Sequence, residues 1–182
     1  MLEQTTAPST AAVTTAQAKA WLRVDHSTDD ALIASLVRSV ELEWEQATGM
    51  PMLVGAYRDQ TCRGFSGCWS PPRQPVVSVT SVVRINDESG SSAAMDSADW
   101  RLLPSPGGQY IEIDSGALAI DEYAQITWTA GFAVVQPTHY AWALRRIAHQ
   151  YRFRGDDPEG RGPAADNAEK WLRQSISREV LR

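Results

Sequence analysis

Two cysteines and three histidines are all that this chain of 182 residues offers a thiolate or imidazole site. Cys62 and Cys68 flank a Gly/Ser turn, with no histidine near them. That argues against a zinc site, which needs four such ligands, and the pair is expected to be free thiols. His139 and His149 fall ten residues apart, on nearly opposite sides of one expected helix. They lack the i,i+4 spacing and intervening Glu of a helical metal motif, and read as surface or interface histidines. No run of about 18 apolar residues is present, so no membrane-spanning helix is expected. Met1–Ala12 has neither the basic start nor the apolar centre of a signal peptide, which points to a chain made in the cytoplasm. There is no internal repeat.

Other fragments that resemble catalytic or binding motifs also fail on spacing. Gly64-Phe65-Ser66-Gly67 is not a G-x-S-x-G elbow. Gly107-Gly108 has no helix after it to hold a phosphate. Asp156, Asp157 and Glu159 lack the calcium-loop spacing, and adjacent Asp29 and Asp30 suit a helix start. The expectation is therefore no catalytic residue, no metal and no cofactor.

What is present is an ordinary globular composition, 43% hydrophobic and 21% charged, with a net charge of −5. Such a balance does not suit a general nucleic-acid binder. The charge is uneven, because from Ala133 onward nine Lys and Arg face six Asp and Glu. Basic residues therefore gather at the end of the chain.

The periodicities predict an α+β fold in the order helices, sheet, helices. Met1–Val13 reads as a loose Thr/Ala-rich arm, and Thr14–Gln17 as a capping box opening a short helix. Ser27–Asp30 then starts a longer helix with an apolar stripe of Ile33, Leu36, Val37, Val40, Trp44 and Ala47, closed by Gly49. These make an N-terminal helix pair over 14–50. A β-rich insertion over 52–130 follows. Its expected strands are Leu53–Cys62, Val76–Ile85, Trp100–Leu103, Gln109–Ile113 and Ala124–Thr129, about five and mostly antiparallel. Such a sheet is expected to bury one face against the helices. Gly131 breaks the last strand and Pro137 opens one long helix over 137–154. The run 155–165 reads as a linker, and 166–182 as a separate C-terminal helix.

Two interaction signals stand out. Arg145, His149 and Arg152 recur at i, i+4, i+7 with Arg146 and Arg154 beside them, either a solvated face or a contact for acidic protein or phosphate. The stripe of Trp171, Leu172 and Ile176, with Arg173 among them, must be buried somewhere. It either folds back on its own core or docks on a partner.

Several stretches in order resemble the head–tail connector, or adaptor, family of tailed double-stranded DNA bacteriophages, prophages and gene-transfer agents. They are VTTAQAKAWLRVDHSTDDALI from Val13, EWEQATGM from Glu43, PPRQPVVSVTSVV from Pro71, DSADWRLL from Asp96, ITWTAGF from Ile126, and the helix from Pro137 to Tyr151. The resemblance implies a structural virion protein of the neck, assembled in the host cytoplasm and without enzymatic activity. It implies a homo-oligomeric ring, commonly of twelve subunits, below the portal protein. The ring extends the DNA channel, passes DNA without sequence-specific binding, and supports a stopper or tail-completion protein. It further implies that Trp171, Leu172, Arg173 and Ile176 dock on the portal, with Arg145, His149 and Arg152 as subunit or partner contacts. Alternatives are another neck component or, from a different class, a small ligand-binding domain or enzyme.

Overall fold

A computed structural model describes residues 1–153 and divides into two compact units. One comprises Met1–Pro8 and Val54–Gly131; the described part of the other is 9–53 and 132–153. The expected linker at 155–165 and the helix at 166–182 lie outside the described residues. Along the chain, the second unit is interrupted by the first.

The helical unit contains α1 (Thr15–Leu22), α2 (Asp30–Thr48) and α3 (Pro137–Arg152). The start of α1 is the expected capping box. Gln17 N–H donates to Thr14 Oγ1 at 3.2 Å, and Thr14 N–H to Gln17 Oε1 at 2.9 Å. Gly49 closes α2 at φ 70°, a left-handed turn that glycine adopts without the Cβ penalty. The start of α2 departs from a simple Ser/Asp cap. Asp29 stands at the cap without a side-chain capping bond, and its carboxylate instead accepts from the Tyr151 hydroxyl at 2.5 Å. A charge-assisted tertiary bond has displaced the local one. Pro137 sits at the start of α3. Ile33, Val37, Val40, Trp44, Trp142, Ala143, Leu144 and Ile147 form the core, with Val13 and Ala18.

The β unit has eight strands. They are β1 (Glu3–Thr6), β2 (Gly55–Gln60), β3 (Gly67–Trp69), β4 (Val76–Asn86), β5 (Ser92–Ala94), β6 (Trp100–Ser105), β7 (Gly108–Ile113) and β8 (Glu122–Ala130). They form a five-stranded sheet in the order β1-β2-β8-β4-β5 and a three-stranded sheet β3-β7-β6, with every pairing antiparallel. Three findings correct the sequence reading. The N-terminal arm is not wholly loose, since Glu3–Thr6 pairs with β2. The expected hairpin at Trp100–Ile113 belongs to a second sheet, completed by Gly67–Trp69 from the expected loop. The five-stranded sheet has a core of its own against that second sheet, and this core contains no helix residue. Tyr57, Val82, Ala124, Ile126 and Trp128 come from one sheet, Ile111 and Ile113 from the other.

Trp128 is the centre of this core. It is fully buried, its ring lies 5.4 Å from Trp69 at 79°, and its indole N–H donates to the Arg73 carbonyl at 3.1 Å. Edge-to-face packing of this kind suits the ring quadrupoles. A second fastener joins the entries of β4 and β7. Gln109 N–H donates to Gln74 Oε1 (2.9 Å), Gln74 Nε2 to Gln109 O (3.0 Å), and Val76 N–H to Gln109 Oε1 (2.7 Å). Gly108 at φ 127° leaves the room this needs, because a Cβ there would fall on the Gln74 amide.

Candidate assembly surfaces

The expected basic stripe on α3 divides when its side chains are placed. Arg145 and Arg152 are exposed, and neither forms an ion pair among the described residues. Arg146, one residue on, is turned inward. Its guanidinium pairs with Glu43 at 2.7 Å, and Gln150 Nε2 donates to the same carboxylate at 3.2 Å. A partly buried pair of this kind fixes α3 against α2 and leaves Arg146 unavailable to a partner. His149 is half-buried, with its ring 4.9 Å from Phe153. Its Nε2 is buried and has no hydrogen-bond partner among the described residues. The Arg152 guanidinium lies 5.6 Å from the Phe153 ring centroid, a cation–π distance. Thus the structure leaves two exposed guanidinium groups around a half-buried imidazole, with the chemistry to meet carboxylate or phosphate.

His139 corrects the sequence reading. It was expected at a surface or interface and is instead buried, 4.5 Å from the Trp44 ring and 5.1 Å from Phe132. It belongs to the core of the helical unit. Trp171, Leu172, Arg173 and Ile176 lie outside the described residues. Both cysteines are exposed free thiols. Among the described residues no group of His, Cys, Asp and Glu is placed to hold a metal ion, and no helix is long and apolar enough to cross a membrane.

Sequence reasoning missed other exposed features. Trp21 is 54% exposed on α1, and Val77 is 57% exposed on β4. Helical spacing did not distinguish Trp21 from Leu22, its half-buried neighbour. Val77 falls where the pairing of β4 with β8 shifts register, between Val76 and Ser78. A bulge of this kind breaks the in–out alternation on which a strand reading depends.

Glu41 is a carboxylate whose titration is displaced. Burial holds it above the ordinary carboxylate range. The Ala12 N–H that donates to it at 2.5 Å, and Arg38 at 3.7 Å, both oppose that shift. It ties the segment before α1 to α2.

The described residues make an α+β arrangement, with three helices in one unit and two sheets in the other, and solved structures match nearly all of the chain. One is a protein from the "Neck of empty GTA particle computed with C6 symmetry". It is 25% identical, has a TM-score of 0.75, and the match covers 98% of this chain and 94% of that one. A protein from the "Virion of native gene transfer agent (GTA) particle" matches at 22% identity and TM-score 0.76 over the same shares. A third, from the "Neck of native GTA particle computed with C12 symmetry", matches at 23% and 0.71 over 94% of each chain. The structural neighbours are thus gene transfer agent neck and virion proteins, in agreement with the head–tail connector resemblance. No family model and no curated protein matches the chain.

Proposed function

We propose that this chain is a structural subunit of the neck of a phage-like particle, and that within the neck it is the head–tail adaptor. The observation that carries this reading is the match over 98% of the chain, at a TM-score of 0.75, to a protein of a gene transfer agent neck. Copies form a ring below the portal, extend the DNA channel and give a stopper or tail-completion protein its platform. Neck structures of the matching proteins computed with six- and twelve-fold symmetry support the ring, and we take twelve copies as its size. The role is assembly, and no chemical step is assigned to it. DNA passes along the channel without sequence-specific contact, in keeping with a net charge of −5 per copy.

Within this reading, the segment Asp166–Arg182 docks on the portal through Trp171, Leu172, Arg173 and Ile176. Arg145, His149 and Arg152 contact a neighbouring copy or the portal, where exposed guanidinium groups find carboxylates. Removal of Asp166–Arg182 is expected to abolish binding to the cognate portal while hydrogen exchange of α1–α3 stays as in the full chain. A truncated chain that binds the portal with unchanged affinity contradicts the docking assignment.

A further inference from the structure

Most sheet edges in the β unit carry protection against strand addition. β3 and β5 span three residues each. The outer strand β6 carries Arg101 and Pro104. Short edges, charges and proline all discourage a further strand. One stretch has none of these. β4 runs for 11 residues and pairs with β8 from Val76 to Asn86. On its other side β5 covers only Val83–Ile85, and Met95 N–H reaches Val82 O at 2.9 Å. Among the described residues no strand covers Val77–Ser81 on that side. Its sequence, Val-Ser-Val-Thr-Ser, has no charge, glycine or proline, and both Val77 and Thr80 are exposed. Two register shifts, at Val76/Ser78 and Val79/Ser81, bend the strand but do not charge it.

Among the described residues, the other open edge of the same sheet is the outer side of β1, at the opposite end of the strand order. Three antiparallel steps separate β1 from β4, so the two strands run in opposite directions within one copy. A second copy displaced along the sheet would therefore present its β1 antiparallel to β4 of the first. Two unlike edges at opposite ends of one sheet suit a heterologous contact, the kind that closes a ring, whereas a two-fold dimer would pair like with like. The four residues of β1 are comparable in length to the five open positions of β4.

We propose that the occupant of Val77–Ser81 is a second copy of this chain: β1 of one subunit adds to β4 of the next, and the five-stranded sheet continues between neighbours. This rests on the ring reading given above. Main-chain bonds supply the affinity of such strand addition, and the exposed Val77 an apolar contact.

Hydrogen exchange of the full chain tests it, comparing the free subunit with the ring formed alone or on the portal. Outward-facing amides of both Glu3–Thr6 and Val77–Ser81 are expected to slow on the order of tenfold or more on assembly. The doubly substituted chain V77K/T80K, altered only at exposed positions, is expected to need about tenfold higher concentration to form the ring, since charged edges resist pairing. Exchange of its α2 and α3 should be unchanged. A ring in which either segment exchanges as in the free subunit overturns the strand addition and leaves the ring reading standing, as does a V77K/T80K ring that forms like the unsubstituted one. A chain that forms no ring overturns both.

Discussion

Replacing Trp128 with alanine should unfold the β unit before the helical one. The indole is fully buried among Tyr57, Trp69 and the neighbouring strands. Removing a buried Trp costs about 3–5 kcal/mol in transfer and cavity terms. The N–H bond to the Arg73 carbonyl adds about 1 kcal/mol net. Trp128→Ala is therefore expected to cost about 4–6 kcal/mol, on the scale of a whole domain's stability. Trp128→Phe keeps most of the ring area, loses the N–H donor, and should cost about 1–3 kcal/mol. Fluorescence alone would mix the units, because Trp21, Trp44 and Trp142 lie in the helical one. The assay is hydrogen exchange through a urea series, read at β2, β4 and β8 amides against α2 amides. If Trp128→Ala costs less than about 1 kcal/mol, the sheet-on-sheet core is not where the stability of this unit resides. If Phe costs as much as Ala, the hydrogen bond and not the packing of the indole holds this core.

Three further outcomes follow from particular contacts. Gly108→Ala should destabilise the β6–β7 hairpin by about 1–3 kcal/mol, since it forces an alanine to positive φ and displaces the Gln74–Gln109 bonds; a thermal midpoint equal to that of the unsubstituted chain would contradict it. Thr14→Ala should cost about 1 kcal/mol through loss of the cap, seen as faster exchange in α1; unchanged α1 exchange counts against the cap. Glu41 provides a pH dependence with an unusual sign. Its folded-state pKa is raised, so its contribution to stability is fully present below the ordinary carboxylate range of about 4.3 and is lost as pH rises through the folded value. Glu41→Gln, which can still accept from Ala12, should therefore gain on the unsubstituted chain between about pH 4 and pH 7 in denaturant titrations; parallel stability curves would refute the burial argument.

The helices were legible because their signals are local. Thr14 and Gln17 lie three residues apart, and Gly49 and Pro137 act at their own positions. β4 and β8 were legible from β-branched and aromatic runs. β1 was not, because Glu-Gln-Thr-Thr has no apolar alternation and is held by backbone pairing to β2 and by side-chain contacts such as Gln4 to the Tyr57 hydroxyl. β3 and β5 are too short for any period to accumulate. The division into two sheets rests on pairings such as Trp69 with Ile111, which no local pattern encodes. The same limit governed the basic stripe. Helical spacing placed Arg145, Arg146, His149 and Arg152 on α3, but the removal of Arg146 by Glu43, 103 positions earlier, is a tertiary fact. The burial of His139 between Trp44 and Phe132 is another.

The most direct measurement of the central claim is the mass of the purified chain in solution, alone and mixed with its cognate portal. A closed ring of twelve copies is expected, alone or on the portal. A monomer of 20.0 kDa that remains monomeric and does not bind the portal would contradict it.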